Sequence, residues 1–341
     1  MSALATPAPP ATGRPAGRPS PVRWLLRLHR PDLLAWAGLV IVLGTALFCV
    51  GGPLTDASAH AWRQIDACRT ANCGYDQAAI LRYKDWYGYT TYAVLAVPFL
   101  VAAWSGATLT SRELENGTAH LVWTQSVAPI RWLAAKLAVP AALITVGTGL
   151  LALLHHWAWS TGQGRIDTAK RWYDTGTFAA NGTVPVALAL AGLAIGALIG
   201  LVLPNSLAAL VGSVFATGGL WGALSTATPH LWPTVTKVAA LKRDGPSGSG
   251  ISVSQGLLTS SGERIADAYC GSGTYASCQA AYDKLDAVSF YNDYHPQSHY
   301  WPLQLTASAL VLAVTAALTV AAFRLLKRTT GATDGGKAAT P

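Results

Sequence analysis

Long runs without a charged residue limit the fold of this chain more than any other feature of its sequence. Residues 86–111, 137–164 and 175–236 contain no Asp, Glu, Lys or Arg. A helix needs roughly 20 apolar residues to cross a bilayer, and a charged side chain at its centre costs about 2.5–3.5 kcal/mol on insertion. Only 12% of the residues are charged, against roughly 25% in soluble domains. The sequence therefore predicts a protein that crosses a membrane several times.

We predict an all-α polytopic membrane protein with six transmembrane helices. The 62 residues from 175 to 236 are too long for one crossing and suit two, with Pro204 and Asn205 as the turn between them. A cleaved signal peptide is the alternative for the first helix, but that apolar run is long, starts late and lacks a small-residue cleavage site. The predicted spans are residues 33–52, 86–109, 133–157, 184–203, 206–224 and 301–323.

The ends of the chain differ in composition from the spans. Residues 1–21 are mostly Ala, Pro, Gly, Ser and Thr, which cannot bury a core, so we predict a disordered cytosolic tail. Residues 21–30 alternate Arg with Trp and Leu at helical spacing. They fit either an amphipathic helix on the membrane surface or the positive flank of the first span. We assign residues 22–324 to one six-span domain and residues 325–341 to a second cytosolic tail.

The cysteines supply the orientation. Six spans place both termini on one side, but the basic residues divide evenly between the two sides. Cys68 and Cys73 form one close pair, and Cys270 and Cys278 another, both in segments opposite the termini. Disulfides persist outside the cytosol, and neither spacing is typical of a zinc site. As disulfide candidates, the pairs predict cytosolic termini and a large extracellular segment between the fifth and sixth spans.

The connection between the second and third spans is unusually long and charged. It covers residues 110–136, TSRELENGTAHLVWTQSVAPIRWLAAK. A plain connection needs only a few residues, whereas this one has the length and the amphipathic character of a docking surface. Glu113 and Glu115 are candidates for an acid–base pair, but their position beside Arg112 favours a solvated interaction surface.

The fourth predicted span carries a repeat of small residues. Gly192, Gly196 and Gly200 recur at every fourth position, a doubled G-x-x-x-G pattern on one helix face. Small residues let helix backbones approach closely in lipid. The pattern predicts a packing face, whose partner helix belongs either to the same chain or to a second copy.

The histidines do not predict a metal site. His155 and His156 end the third predicted span beside tryptophans, and we interpret them as interfacial residues of an aromatic belt. His295 and His299 are four residues apart, a spacing that would place them on one face of a helix. Pro296 between them argues against such a helix, so we predict no metal here.

Several function classes are excluded by what the sequence lacks. It contains neither a G-x-x-x-x-G-K-[ST] loop nor a G-x-G-x-x-G that follows a strand, so we expect no bound nucleotide. The pI of about 9.3 does not indicate nucleic-acid binding, because the basic residues flank apolar runs. No charged residue lies well inside a predicted span, which argues against a proton-coupled antiporter and an intramembrane hydrolase. Energy for any transport would come from elsewhere.

The connection between the second and third spans resembles the coupling loop of ABC-2 type permeases, the membrane subunits of ATP-driven exporters. The resemblance lies in residues 111–118, which include the E-x-G-T sequence, in residues 124–127 and in residues 131–136. Two further stretches, GTVPV at 182–186 and HYWPLQ at 299–304, are similar to the actinobacterial branch of that family. Relatives often carry paired Arg after the fourth span, where this chain has Leu203, Pro204 and Asn205.

The resemblance implies a partner and a site. Such permeases work as dimers in the plasma membrane, bound to two copies of a separate ATP-binding subunit. The connection would form a coupling helix in a groove of that subunit. The residues implied at this contact are Arg112, Glu113, Glu115, Gly117, Thr118 and Arg131. ATP and Mg²⁺ would be bound by the partner, so this chain would carry no catalytic residue, no cofactor and no enzyme activity of its own.

The function implied is export of a small lipophilic or amphipathic molecule, as in multidrug efflux. Whether the dimer is formed by two identical chains is left open by the sequence, although a homodimer is the simpler expectation. The alternative is a non-transporting membrane sensor or anchor that acts through its extracellular loops.

Overall fold

The computed structural model describes residues 30–69, 74–119, 123, 128–203, 205–243, 245, 248–267 and 275–335. The predicted tail of residues 1–21 and the basic segment up to residue 29 lie outside these ranges. The chain divides into two compact units, residues 1–41 and residues 42–341. Of the first unit, the described residues are the beginning of the first helix. The second unit contains all the other elements.

The prediction of six spans is confirmed, because the described residues contain six helices long and apolar enough to cross a membrane. Spans 1 and 2 extend well past their predicted ends, since residues 53–66 and 77–85 are helical rather than part of a loop. The side chain of Asp76 caps span 2 by accepting a hydrogen bond from the Ala79 amide at 3.0 Å. We number the spans 1 to 6: Arg30–Asp66, Gln77–Glu115, Pro129–Gly162, Val184–Val202, Ser206–His230 and Gln297–Thr330.

Several spans contain more than one helical segment. The α-helices are α1 Arg30–Cys49, α2 Thr55–Asp66, α3 Gln77–Trp104, α4 Arg112–Glu115, α5 Pro129–Gly162, α6 Thr175–Ala180, α7 Val184–Val202, α8 Ser206–Ala227, α9 Tyr275–Lys284 and α10 Tyr300–Gly335. The π-helical turns are Val50–Leu54 and Ser105–Ser111, and the 3₁₀ turns are Thr228–His230, Leu241–Arg243 and Gln297–His299. Because α10 continues to Gly335, the first part of the predicted tail 325–341 is helical.

Span 4 is the core of the helical part. Of its most apolar 18 residues, 72% are buried, against 11–50% in the other spans. It packs against spans 2, 3, 5 and 6. Its sequence, VPVALALAGLAIGALIGLV, consists almost entirely of small and aliphatic residues. Such a helix can be surrounded on all sides because it has no polar face that needs water.

The glycine repeat of span 4 packs against span 2 of the same chain. A Cβ atom at Gly192 would lie 2.5 Å from the carbonyl oxygen of Pro98, and one at Gly196 would lie 2.7 Å from that of Ala102. Gly200 approaches Thr110 equally closely. Only glycine leaves room for backbones this near to each other. The structure thus places the partner of this packing face within the chain.

A small antiparallel sheet lies between spans 5 and 6, so the prediction of a wholly α-helical protein is wrong in this segment. Its spatial order is β1–β4–β2–β3. Leu257 and Phe290 are buried inside it together with Tyr282 of α9. The start of β2, ISVS, alternates apolar and polar residues with the period of a half-buried strand. The strands are β1 Val235–Ala240, β2 Ile251–Thr259, β3 Arg264–Ile265 and β4 Ala287–His295.

Candidate functional site

The last turn of span 2 and the residues just after it, 112–119, are called the junction below. It begins with the single helical turn Arg112–Glu115. The Gly117 amide donates to the Leu114 carbonyl at 3.1 Å, and Gly117 has a φ of +69°. This left-handed conformation ends helices and favours glycine. The glycine of the E-x-G-T sequence therefore ends the helix of span 2 and redirects the chain.

The junction is anchored by apolar contacts. Ala119 is fully buried in a cluster that contains Trp132 and Leu133 of span 3. Ala322 and Leu326 of span 6 belong to the same cluster. The junction therefore packs where span 3 begins and near the end of span 6.

Glu113 joins the junction to span 3 by an ion pair. Its carboxylate lies 2.5 Å from the ammonium of Lys136, which also donates to the carbonyl of Leu109 at 2.8 Å. The Lys136 side chain is 6% exposed and that of Glu113 27%. The ring of Trp132 lies 4.9 Å from the ammonium. Glu113 is therefore only partly exposed and neutralises a buried cation, a role that the sequence did not suggest.

Glu115 joins the junction to span 5. Its carboxylate accepts a hydrogen bond from the Ser206 amide at 3.2 Å. Ser206 is the first residue of α8, where a negative charge is favourable because the helix dipole is positive there. Asn205 caps the same helix by accepting from the Ala208 amide at 2.9 Å. Asn205 thus supports the predicted turn, while Pro204 lies outside the described residues.

The remaining residues of the predicted coupling site are on the surface. Arg112, Thr118 and Arg131 are exposed, and the Thr118 hydroxyl donates to the Glu113 carbonyl at 3.2 Å. Residues 124–127, which contribute to the family resemblance, lie outside the described residues. The structure thus brings six predicted residues to one end of the helical bundle. Glu113 and Glu115 contact neighbouring spans. The side chains of Arg112, Thr118 and Arg131 are exposed and available to a partner.

The π-helical turn before the junction is tightly packed. A Cβ atom at Gly106 would lie 2.8 Å from the carbonyl oxygen of Ala209 in span 5. On the span 4 side, the hydroxyl of Thr110 donates to the Ala197 carbonyl at 3.2 Å. The junction is therefore connected with spans 3, 4, 5 and 6 within a few residues, an arrangement suited to passing on a mechanical displacement.

At the other end of the bundle, two sequence stretches noted separately meet each other. The side-chain oxygen of Gln304 in span 6 accepts hydrogen bonds from the amides of Thr183 and Val184, both at 3.2 Å. Its amide group donates to the Phe178 carbonyl at 2.7 Å. Gln304 is fully buried and so caps the start of span 4. The GTVPV and HYWPLQ stretches therefore form one contact, which sequence alone did not indicate.

His155 is not an interfacial residue, and that prediction is wrong. It is fully buried, with Nδ1 2.7 Å from the side-chain oxygen of Asn181 and Nε2 2.9 Å from the hydroxyl of Thr91. His156 lies beside Trp159, with ring centroids 5.4 Å apart and ring planes inclined at 44°. Buried polar groups are stabilised by such bonds. Hydropathy does not predict this network, because its members are far apart in sequence.

Two of the four cysteines of the predicted pairs are described. Cys68 and Cys278 are disulfide-bonded. Cys73 and Cys270 lie outside the described residues, so the pairing remains a prediction. Cys49 is free and exposed. In the described part of the chain, no three His, Cys, Asp or Glu side chains form a group that could hold a metal ion.

Six apolar helices and an organised junction between spans 2 and 3 define a multi-pass membrane protein with features of a transport subunit. The sequence model of the family described as ABC-2 membrane transporter related matches residues 37–229, more than half of the chain. The chain therefore belongs to this family. The match includes the junction and ends before the sheet. Comparisons with curated proteins and with solved structures gave no match.

Proposed function

We propose that this chain is the permease subunit of an ATP-driven exporter, and that the junction couples it to a separate ATP-binding subunit. The observation that carries this proposal is the pair of glutamates in the junction. Glu113 holds Lys136 of span 3, and Glu115 caps Ser206 of span 5. A displacement of the junction by a partner would therefore reach two spans directly, and the spans would tilt as rigid bodies.

The exposed side chains of the junction supply the surface for the partner. Arg112 and Arg131 carry charge, and Thr118 can donate or accept a hydrogen bond. Family membership implies an ATP-binding partner in general. ATP and Mg²⁺ would be held by that subunit, and this chain would supply binding and movement without a catalytic residue.

The orientation that fits this role places the junction and both termini in the cytosol. Cys68 precedes span 2 and the junction contains the last turn of that span, so the two lie at opposite ends of it. Cys278 lies beyond the end of span 5, whose beginning contacts Glu115. Both cysteines are disulfide-bonded, and disulfides persist outside the cytosol. This supports a plasma-membrane protein with the sheet on the extracellular side.

The apolar surface of the spans supports a proposal for the exported molecule and for the number of chains in the assembly. Only 11–28% of the most apolar residues of spans 1, 3, 5 and 6 are buried in the single chain. These faces are open to lipid, to a small lipophilic or amphipathic cargo and to a second copy of the chain. We propose a homodimer that exports such a molecule.

The test is to co-express the tagged chain with candidate ATP-binding subunits from its own genome and to measure vanadate-sensitive ATP hydrolysis in lipid. We expect a stable complex. Glu115→Arg should lower the activity severalfold or more, because it removes the acceptor of the Ser206 amide and places a positive charge at the positive end of the α8 dipole. Lys170→Glu, a charge reversal on an exposed residue beyond span 3, is the control and should leave the activity unchanged.

Two results would overturn the proposal. One is the absence of a complex with any ATP-binding subunit, which would favour a membrane sensor or anchor that acts through the sheet. The other is unchanged ATP hydrolysis and export in Glu115→Arg, which would remove the junction from the coupling path.

A further inference from the structure

We propose that His295 and His299 bind a transition-metal ion where the sheet joins span 6. His295 is the last residue of β4, and His299 ends the 3₁₀ turn Gln297–His299 that opens span 6. Their Nδ1 atoms lie 3.2 Å apart, and the ring planes are inclined at 57°. This site is independent of the proposed transport function.

The hydrogen-bond partners of His295 define its tautomer, which leaves a lone pair on Nδ1 beside the His299 ring. Its Nε2 atom lies 2.9 Å from the carbonyl oxygen of Pro229. A carbonyl oxygen only accepts, so Nε2 carries the hydrogen, and in the neutral ring Nδ1 carries the lone pair. Histidine ligands in metal sites usually donate their other N–H to a carbonyl or carboxylate, which fixes the tautomer and the ring orientation. His295 has this arrangement already.

The separation of the two nitrogens suits a shared metal ion. Two Zn–N bonds of about 2.0–2.1 Å at a tetrahedral angle place their nitrogens roughly 3.3–3.4 Å apart. The observed 3.2 Å needs only a small adjustment. The same distance also suits a hydrogen bond from the His299 ring to the His295 ring, and the experiment below separates these two arrangements.

The exposure of the two rings and their imidazole ligands favour a borderline-soft metal ion that keeps some coordination positions for water. His295 is fully buried, whereas His299 is half-buried, so an ion would be reached from the His299 side. No third His, Cys, Asp or Glu completes a group in the described residues, so water would fill the other positions. Imidazole ligands without a carboxylate favour Zn²⁺, Cu²⁺ or Ni²⁺ over Mg²⁺ and Ca²⁺.

Pro296 was the reason to expect no metal here, because it argues against a helix with both histidines on one face. The structure brings the two histidines together without such a helix. The two rings do not need a common helix face. Pro296 has an extended ψ of 171°, and its carbonyl accepts from the His299 amide at 2.9 Å. The resulting tight turn brings the rings together. An ion at this place would connect β4 with span 6 and, through the Pro229 carbonyl, with the end of span 5.

The test is a calorimetric Zn²⁺ titration of the metal-stripped full chain in detergent, purified with a tag that contains no histidine. We expect one Zn²⁺ per chain. His299→Ala should weaken binding more than about 100-fold, since losing an outer partner of a ligand alone costs 10–100-fold. His60→Ala removes an exposed histidine of α2 and should not change the affinity.

His299→Ala is preferred to a change at His295, because the half-buried ring can be removed with less effect on folding. Equal thermal unfolding temperatures of the metal-free variant and the original chain would verify that both are folded. Absence of stoichiometric Zn²⁺ binding by the original chain would show that the rings form only a hydrogen bond. Binding that survives His299→Ala would place the ion elsewhere. Either result overturns the proposal.

Discussion

Replacing Glu113 should lower the free energy of unfolding more than replacing Lys136, because Lys136 is the more buried member of their ion pair. Glu113→Ala leaves an ammonium that is 6% exposed and whose remaining partners among the described residues are the Leu109 carbonyl and the Trp132 ring. Breaking a buried pair from one side costs about 3–5 kcal/mol. Because the Leu109 contact remains, we expect about 2–3 kcal/mol here. Lys136→Met leaves a carboxylate that is 27% exposed and can be rehydrated, so we expect about 1 kcal/mol or less.

The assay is the free energy of unfolding of the purified chain, measured by titrating mixed micelles with a denaturing detergent. The double variant Glu113→Ala with Lys136→Met should be more stable than Glu113→Ala alone, because the uncompensated charge is gone. A Lys136→Met variant that is as unstable as Glu113→Ala would refute the argument that the buried cation sets the cost. Equal stability of the single and double Glu113 variants would refute it as well.

Three further substitutions and one control test the packing and the buried polar contacts. In the same unfolding assay, Gly196→Ala should destabilise the chain by about 1–3 kcal/mol through overpacking against span 2. The control is Gly219→Ala, where an added Cβ atom has nothing within 4 Å, and it should be neutral or stabilising. Gln304→Leu should lower the unfolding free energy by about 1–3 kcal/mol, because the part-buried Thr183 amide and the buried Val184 amide lose their acceptor. His155→Phe should cost a similar amount through loss of its two hydrogen bonds, and an unchanged unfolding curve would contradict its buried role.

The sequence predicts the number and order of the spans because insertion of charge into lipid has a large and local cost. It does not predict where the helices end, since residues 55–66 are polar on one face yet continue span 1 as helix. Hydropathy measures suitability for lipid and not helix formation. The sheet was missed because its two long strands, β2 and β4, alternate polar and apolar residues only in part.

The residues of the junction were predicted as a group, but their roles were not. The pairing of Glu113 with Lys136 depends on how the helices before and after the loop are rotated, and residue spacing contains no information on that rotation. The Gln304 contact requires that spans 4 and 6 be neighbours. Gly117 is the exception. A glycine after a short charged stretch is a known helix-stop signal, and its positive φ follows from local conformation alone.

Glu115 is more exposed than Glu113, so a Glu115 substitution can test coupling to the ATP-binding subunit without a large loss of stability. Glu115 is exposed and caps a helix end, a contact that contributes only about 0.3–1 kcal/mol at a surface position. Changing it should therefore alter the link between the junction and span 5 in a chain that remains folded. Changing Glu113 alters the link to span 3 and also leaves a charge buried, so a loss of transport there is ambiguous. Only a Glu115 variant whose stability is shown to be unchanged can assign the loss of ATP-driven transport to the junction itself.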